Sequence, residues 1–378
     1  MHTTNTRRAA LKGGLKAGLA GAALATPALV PAQTTFNWKM TSAYPKGSPF
    51  YMDGPGSATD LARRIREMSA GRLNIQVFGA GELIPAFEGF DAVRAGTVEM
   101  NHANAYFWTG KTFAAQYFTA VPFGLNFQGM NGWLYDGGGI DLWNEVYAPF
   151  GMVAMPCGNT GVQMTGWFKK EIKTVADLKG LKMRIPGLAG RVYAALGVDV
   201  KVLPGGEIFP ALQSGAIDGA EWIGPYNDLA LGFYQVCKYY YSHGYHEPGA
   251  GLQLMINEQA WQSLDAELQA IVRTACDAAY KDTLAEFNAR SGPALRTLVQ
   301  DHGVIVRGLP EDVLMACGEK ANEVLNEIHA GDRSPDRIVQ RIIEDFLAFR
   351  KDIIPWSRIG EQAFMNARQL PFEFALKG

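Results

Sequence analysis

An excess of positive charge is missing from this sequence. Its 35 lysines and arginines stand against 37 aspartates and glutamates, a formal net charge of -2, so nothing electrostatic directs it to nucleic acid. Cysteine is scarce: only Cys157, Cys237, Cys276 and Cys317. They form no CxxC and no Cys/His cluster, so the usual zinc and dithiol spacings are excluded. Their even number leaves room for one or two disulfides, but Cys276 and Cys317 fall on apolar positions of helical stretches, where buried free thiols fit better. No GxSxG occurs. The Gly-Lys-Thr of "WTGKTF" is no P-loop, because Ala105 stands where the first glycine is needed. "HGYHE" (His243–Glu247) is rich in ionisable groups, but Gly244 and Pro248 break a helix there and the spacing is not HExxH. The uncharged stretch Thr112–Tyr135 holds Gln116, Pro122, Asn126, Gln128 and several glycines. It reads as buried loop and helix, not as a membrane span.

What is present is a globular composition, 48% hydrophobic and 19% charged over 378 residues, enough for two domains. The first 32 residues read as an address. Arg7-Arg8, Lys12 and Lys16 precede an apolar run from Ala17 to Val30 that ends in Val30-Pro31-Ala32, small residues suited to a signal peptidase. The run is too short and too rich in Gly and Ala to span a membrane. The twin arginine with Leu11-Lys12 resembles a Tat signal, although Ala10 replaces the usual Phe. A periplasmic location is therefore expected.

From Thr35 short apolar strands alternate with amphipathic helices, which predicts an α/β fold. "TFNWKMT", "RLNIQVFG", "TVEMNHA", "LKMRIP", "DVKVLP" and "AIDGAEW" read as strands; helices follow Ser57 and lie in "FEGFDAVRAG", "GRVYAALG" and "GEIFPALQSG". After about Asn257 the pattern is helical to the end. "AVRAGTVEMNHA" (Ala92–Ala103) aligns without gaps onto "ALQSGAIDGAEW" (Ala211–Trp222), matching Gly96 with Gly215 and Glu99 with Asp218. Each is a helix end, a glycine stop and a strand. The pair predicts two similar lobes whose strand ends, Asn101–Tyr106 and Gly219–Ile223, face a shared cleft.

"VADLKGLKMRIPG", "LPGGEIFPALQSGAIDGAEW" and "RAGTVEM" resemble the DctP-type extracytoplasmic solute receptors of TRAP transporters. "GAEWIGPYNDLALGFYQVCKYYYSHGYHEPG" is similar to the branch that binds 2-oxo acids such as pyruvate. The resemblance runs from about Thr35 to the C-terminal helices. It implies a two-lobed periplasmic binding protein fold of type II-like organisation, with hinge strands crossing between lobes and a long helix spanning both. Residues 33–157 and 251–300 then form one lobe, 158–250 the other, and 301–378 the helices packed on them. It also implies no catalytic activity, no organic cofactor, and delivery of the ligand to a membrane permease.

The residues bear on the ligand directly. In "KMRIP", strand alternation sends Met183 and Ile185 to the core and Arg184 to the other side. A guanidinium suits a carboxylate because its planar fork donates two parallel hydrogen bonds; the resemblance places the ligand-carboxylate arginine here. Arg191, seven residues on, reads as solvated. Glu221 then poses a problem, since an anionic ligand, a carboxylate and one guanidinium leave a buried net negative charge. A bound Na⁺ or Ca²⁺ resolves it, held by Glu221, the Trp222 carbonyl and amide oxygens, with the Trp222 ring as a cleft wall. The other reading is a salt bridge from Glu221 to a protein Lys or Arg. Gln163 in "TGVQMTGW" and Gln253 in "GLQLMIN" are polar among apolar neighbours and are candidate cation ligands. Asn159 and Tyr106 are candidates for the ligand itself, and Gln163 and Trp222 also border it. The expected ligand is a small 2-oxo or 2-hydroxy monocarboxylate. The competing classes are a periplasmic enzyme acting on a keto acid and a receptor for another carboxylate without metal. In the C-terminal stretch, Ile338, Ile342, Phe346 and Phe349 share a helical face beside Ile343 and Leu347; packing on the chain's own lobes and a homodimer contact both fit that stripe.

Overall fold

A computed structural model describes residues 34–331 and 337–371. The expected signal segment, residues 1–32, lies outside the described residues. The described strands are β1 (Phe36–Ser42), β2 (Leu73–Phe78), β3 (Met100–Ala103), β4 (Met152–Asn159), β5 (Gly166–Phe168), β6 (Lys182–Arg184), β7 (Asp199–Lys201), β8 (Gly219–Ala220), β9 (Tyr239–Tyr241), β10 (Gly251–Asn257) and β11 (Ile305–Arg307). They make two sheets, ordered β2-β1-β3-β10-β4 and β11-β9-β5-β8-β6-β7. In the first, β1 runs parallel to β2 and β3, and β10 antiparallel to β3 and β4. In the second, β6 is parallel to β7 and β8, while β5 is antiparallel to β8 and β9.

The chain passes between the sheets three times: after β4, after β9, and through the 35-residue helix Ala266–Gln300, which leads to β11. Asp265 starts that helix by accepting a bond from the Leu268 amide at 2.9 Å. The helix packs on β4 of the first sheet and on the helix Pro225–Leu231 beside the second. It therefore serves as a common support for the crossings. Its Thr283 hydroxyl accepts the Asn159 amide at 3.0 Å, and Gly161 and Gly224 lie against its Leu284 and Phe287 side chains.

The repeat is visible in the fold. The helices Gly89–Arg94 and Gly205–Ser214 are followed by Gly96 (φ 71°) and Gly215 (φ 80°), both in the left-handed region that favours glycine, and then by β3 and β8 in their separate sheets. Two expectations change in detail. "AIDGAEW" forms only the two-residue β8, because the chain turns at Glu221. A strand, β11, interrupts the helical C-terminal part and joins the second sheet beside β9. The four cysteines are buried and free.

The C-terminal stripe packs on the chain itself. Ile342, Ile343 and Phe346 are buried, Phe346 packs edge-on to Trp133, and the Phe349 ring rests against Gly132. Beyond it the helix surface is different: Trp356, Ile359, Phe364 and Leu370 are 60–72% exposed.

Candidate functional site

Alternation places Arg184 as the sequence predicts. Met183 and Ile185 enter the apolar core of the second sheet, and the Arg184 side chain leaves the other way, only 1% exposed. Its Nε donates to the Leu203 carbonyl at 3.2 Å. Its Nη1 donates to the Glu221 carbonyl at 2.7 Å and to Glu221 Oε2 at 2.8 Å. Nη2 has no partner. Parallel pairing of β6 with β8 continues as the Glu221 amide donates to the Arg184 carbonyl at 3.0 Å, which forces the two side chains together. Glu221 thus meets the arginine expected to hold the ligand. In this closed arrangement the guanidinium offers one free prong, Nη2, where the sequence suggests a two-pronged fork.

A second carboxylate joins them. Glu247, 2% exposed, accepts from Gln163 Nε2 at 2.8 Å, and the Gln163 amide donates to the Glu247 carbonyl at 3.3 Å. Burial, reinforced by the Glu221 charge and opposed by Arg184, raises the Glu247 carboxyl well above the ordinary range. Beside it the His246 ring has no hydrogen bond at either nitrogen; Nε2 lies 3.7 Å from Glu221 Oε1. Two carboxylates and one guanidinium are therefore enclosed together.

The unmatched atoms have a pattern. Glu221 Oε1 and Gln163 Oε1 are buried acceptors without donors, and the carbonyl of Trp222, a buried residue, accepts no hydrogen bond among the described residues. Arg184 Nη2 is a buried donor without an acceptor. Each such orphan is unfavourable by about 1–3 kcal/mol. Hard acceptors of this kind fit a cation with oxygen ligands, and the donor fits an anion. Among the described residues no group of three or more His, Cys, Asp or Glu side chains could hold a metal ion, so such a site relies on amide and carbonyl oxygens as well as carboxylate.

Aromatic rings close the cluster. The Trp222 ring lies 5.2 Å from the Arg184 guanidinium and meets the stacked rings of Tyr44 and Tyr51 edge-on. Gly205 is required here, since a Cβ would overlap the Trp222 ring. Tyr106 follows β3 in the first sheet and touches Gly187, which follows β6 in the second: a Cβ on Gly187 would stand 3.4 Å from the Tyr106 ring. Burial first, then the charge of Glu247, raises the Tyr106 hydroxyl well above its usual range, so it stays a proton donor. Beneath the Glu221–Trp222 turn, Asp228 accepts from the Ile223 and Gly224 amides at 3.2 and 3.1 Å and from Trp167 Nε1 and the Tyr240 hydroxyl, both at 2.8 Å. Burial pushes its carboxyl up to about 7, against the Trp167, Tyr240 and Ile223 donors and with help from Glu221.

Of the residues singled out from sequence, Arg184, Glu221, Trp222 and Gln163 come together, and Tyr106 faces them from the first sheet. Asn159 does not present free donors: its Nδ2 bonds the Gly249 carbonyl at 3.2 Å and the Tyr280 hydroxyl at 2.9 Å, and its Oδ1 accepts from the Gly161 amide at 2.8 Å. It braces two crossings against the long helix. Gln253 lies in β10 with its Nε2 unpartnered. β10 holds it between Ala103 and Pro156, and its Oε1 accepts from the Tyr147 hydroxyl at 2.8 Å. Arg191 is exposed as expected, and its guanidinium lies 4.6 Å from the Phe113 ring. Glu247, His246 and Asp228 were not singled out as site residues. The signal for Glu247 is the same as for Glu221, a lone carboxylate between apolar segments; for Asp228 it is "GPYND", an acid at the fourth helical position that reaches back to the amides of Ile223 and Gly224.

Comparison with known proteins gives the family. Residues 54–332 match the family described as bacterial extracellular solute-binding protein, family 7 (DctP). A monocarboxylate 2-oxoacid-binding periplasmic protein of Nostoc sp. is 44% identical over 329 residues, covering 87% of this chain and 88% of that protein. A TRAP periplasmic solute-binding protein of Colwellia psychrerythraea, solved with bound calcium and pyruvate, is 38% identical, with a TM-score of 0.84 over 88% of this chain and 100% of that one. One from Pseudoalteromonas atlantica, with bound sodium and pyruvate, is 37% identical, with a TM-score of 0.84 over 90% and 100%. One from Bordetella bronchiseptica, a dimer of mixed occupancy with calcium and picolinate in its active site, is 38% identical, with a TM-score of 0.85 over 89% and 97%.

Proposed function

Because the chain belongs to family 7 of the bacterial extracellular solute-binding proteins, we propose that it is the periplasmic receptor of a TRAP transporter and captures a small 2-oxo monocarboxylate together with Na⁺ or Ca²⁺. The observation that carries the ligand reading is the pairing of orphan acceptors with an orphan donor in one buried cluster: Glu221 Oε1, Gln163 Oε1 and the Trp222 carbonyl on one side, Arg184 Nη2 on the other. With Arg184 already paired to Glu221, a cation bound to those oxygens would offset the ligand's own carboxylate and give its 2-oxo group a positive partner. Arg184 donates to the ligand carboxylate, Tyr106 donates from the first lobe, and Trp222, Tyr44 and Tyr51 exclude water. The Nostoc, Colwellia and Pseudoalteromonas proteins support the ligand class. In this reading Gln253 and Asn159 support the scaffold, and Glu247 orients Gln163 by accepting from its Nε2. The family is one of binding receptors: the chain is exported by a Tat-type signal in residues 1–32, and the ligand leaves it chemically unchanged for a membrane permease.

Arg184, Glu221 and Glu247 are all within 2% of full burial, so a ligand enters only when the cleft opens. The lobes built on the two sheets, with β11 in the second, move on the crossings at 160–165 and 242–250. A thermal-shift panel of 2-oxo and 2-hydroxy acids, each with Na⁺, Ca²⁺ or neither, tests the assignment. At about 100 Kd a true ligand stabilises by roughly 2.7 kcal/mol. No shift with any 2-oxo acid in any buffer overturns it. The exposed Trp356, Ile359, Phe364 and Leu370 fit a homodimer contact at the C-terminal helix. A dimer mass by light scattering, lost on Trp356→Asp, is expected; a monomer mass for the unmutated protein rejects it.

A further inference from the structure

We infer that Asp228 is a positioning residue that aims the Trp222 carbonyl into the site and thereby couples cation binding to ligand binding. This rests on the cation reading above. Asp228 lies outside the cluster, on the helix Pro225–Leu231, and is 1% exposed. An ionised carboxylate has about four acceptor positions, and four donors occupy them. At Oδ2 the donors are Trp167 Nε1 and the Tyr240 hydroxyl, each at 2.8 Å. These two rings pair laterally across β5 and β9 and stack 4.0 Å apart. One end of Asp228 is therefore fixed to the rigid middle of the second sheet. The other end, Oδ1, holds two successive amides of the site turn, Ile223 and Gly224.

A trans peptide unit is planar, with its N–H and C=O on opposite sides. Where Asp228 holds the Gly224 N–H, the Ile223 carbonyl must point away, and it does: it accepts the Met164 amide at 2.8 Å. Met164 follows Gln163, so this bond also fixes the turn beside the amide of the cluster. The same rule applied to the Ile223 N–H turns the Trp222 carbonyl away from Asp228. That carbonyl meets no donor among the described residues, although it belongs to a buried residue next to Glu221, whose own carbonyl accepts from Arg184 Nη1 at 2.7 Å. A buried carbonyl held without a donor is uncommon, and here a carboxylate outside the site is what holds it. The plain alternative is that Asp228 only caps its helix, since Gly224 is the cap residue. A cap contributes stability and leaves the linkage between cation and ligand untouched.

The test measures that linkage. Pyruvate affinity is determined by calorimetry at pH 8, in Na⁺, in Ca²⁺, and in a large organic cation with chelator. The ratio of affinities with and without the inorganic cation is compared between the unmutated protein, Asp228→Ala and Tyr240→Phe. The unmutated protein should show a ratio of about tenfold or more. In Asp228→Ala the ratio should fall to within about threefold of one, while affinity without cation changes little. A lower melting temperature with the full ratio retained overturns the inference and leaves a cap. If Asp228→Ala does not fold, Tyr240→Phe decides: it removes one Oδ2 donor and keeps the carboxylate, and should lower the ratio by about two- to fivefold, whereas an unchanged ratio overturns the inference. A ratio of one in the unmutated protein removes the cation reading itself, and is thereby distinguished from a failure of Asp228 alone.

Discussion

Replacing Glu221 with Gln separates a cation ligand from a simple partner of Arg184. The change keeps shape and one acceptor oxygen, so Arg184 Nη1, now 2.8 Å from Oε2, can still donate. What is lost is one negative charge and the free acceptor Oε1. In the ligand-free protein the loss of the Glu221 charge removes one cause of the raised Glu247 carboxyl, so Glu247 can ionise in its place as counter-charge to Arg184, which limits the damage to stability. In the complex an amide replaces a charged oxygen at a hard cation, and contacts to charged groups contribute about 1.5–3 kcal/mol. That corresponds to roughly 10- to 150-fold weaker pyruvate binding in saturating Na⁺ or Ca²⁺. In chelator with a large organic cation the two proteins should bind pyruvate with similar, weak affinity. Calorimetry of both proteins in both buffers reads this directly. If Glu221→Gln keeps its affinity and its cation dependence, and only melts several degrees lower, Glu221 serves Arg184 alone and the reasoning is refuted.

Arg184→Lys should weaken pyruvate binding tenfold or more, about 1.4 kcal/mol, because lysine keeps the charge but cannot serve Leu203, Glu221 and the ligand from one planar group; equal affinity in calorimetry contradicts this. Asp228 has a folded value near 7 against an ordinary 3.8, so the folded chain holds an extra proton between those values and its stability falls as pH rises through that window. Asp228→Asn should flatten the slope by up to about 1.4 kcal/mol per pH unit, measured by urea unfolding at pH 5, 6 and 7; an unchanged slope speaks against it. Ligand should lower the radius of gyration in small-angle scattering, since buried Arg184 and Glu221 are reached only through an open cleft; identical profiles from protein shown to be ligand-free argue against hinge closure.

Local physics was legible in the sequence where it decided the outcome. Alternation in "LKMRIPG" put Arg184 opposite Met183 and Ile185. Glycine stops at 96 and 215 aligned two units that lie in different sheets. The charge argument around Glu221 correctly demanded a partner. Other features depend on what meets what across the crossings. Glu247 is 26 residues beyond Glu221, and only the return of the chain after β9 brings them together. Gln253 looked like Gln163 in its apolar setting, but its strand is fixed inside the first sheet, where Tyr147 answers its oxygen. β8 is short because the chain leaves the sheet after the Glu221 amide bonds the Arg184 carbonyl and enters a helix at Pro225. The stripe from Ile338 to Phe349 had a clear period, yet a period says which face is buried and not against what.

The central claim is that one inorganic cation and one 2-oxo acid are held together at Arg184, Glu221, Gln163 and Trp222. Equilibrium dialysis of the mature chain with labelled calcium or sodium, in the presence and absence of saturating pyruvate, tests it most directly. The account predicts about one cation retained per protein with pyruvate and much weaker retention without it, as reciprocal coupling requires. Pyruvate bound at full affinity with no cation retained in either arm would contradict it.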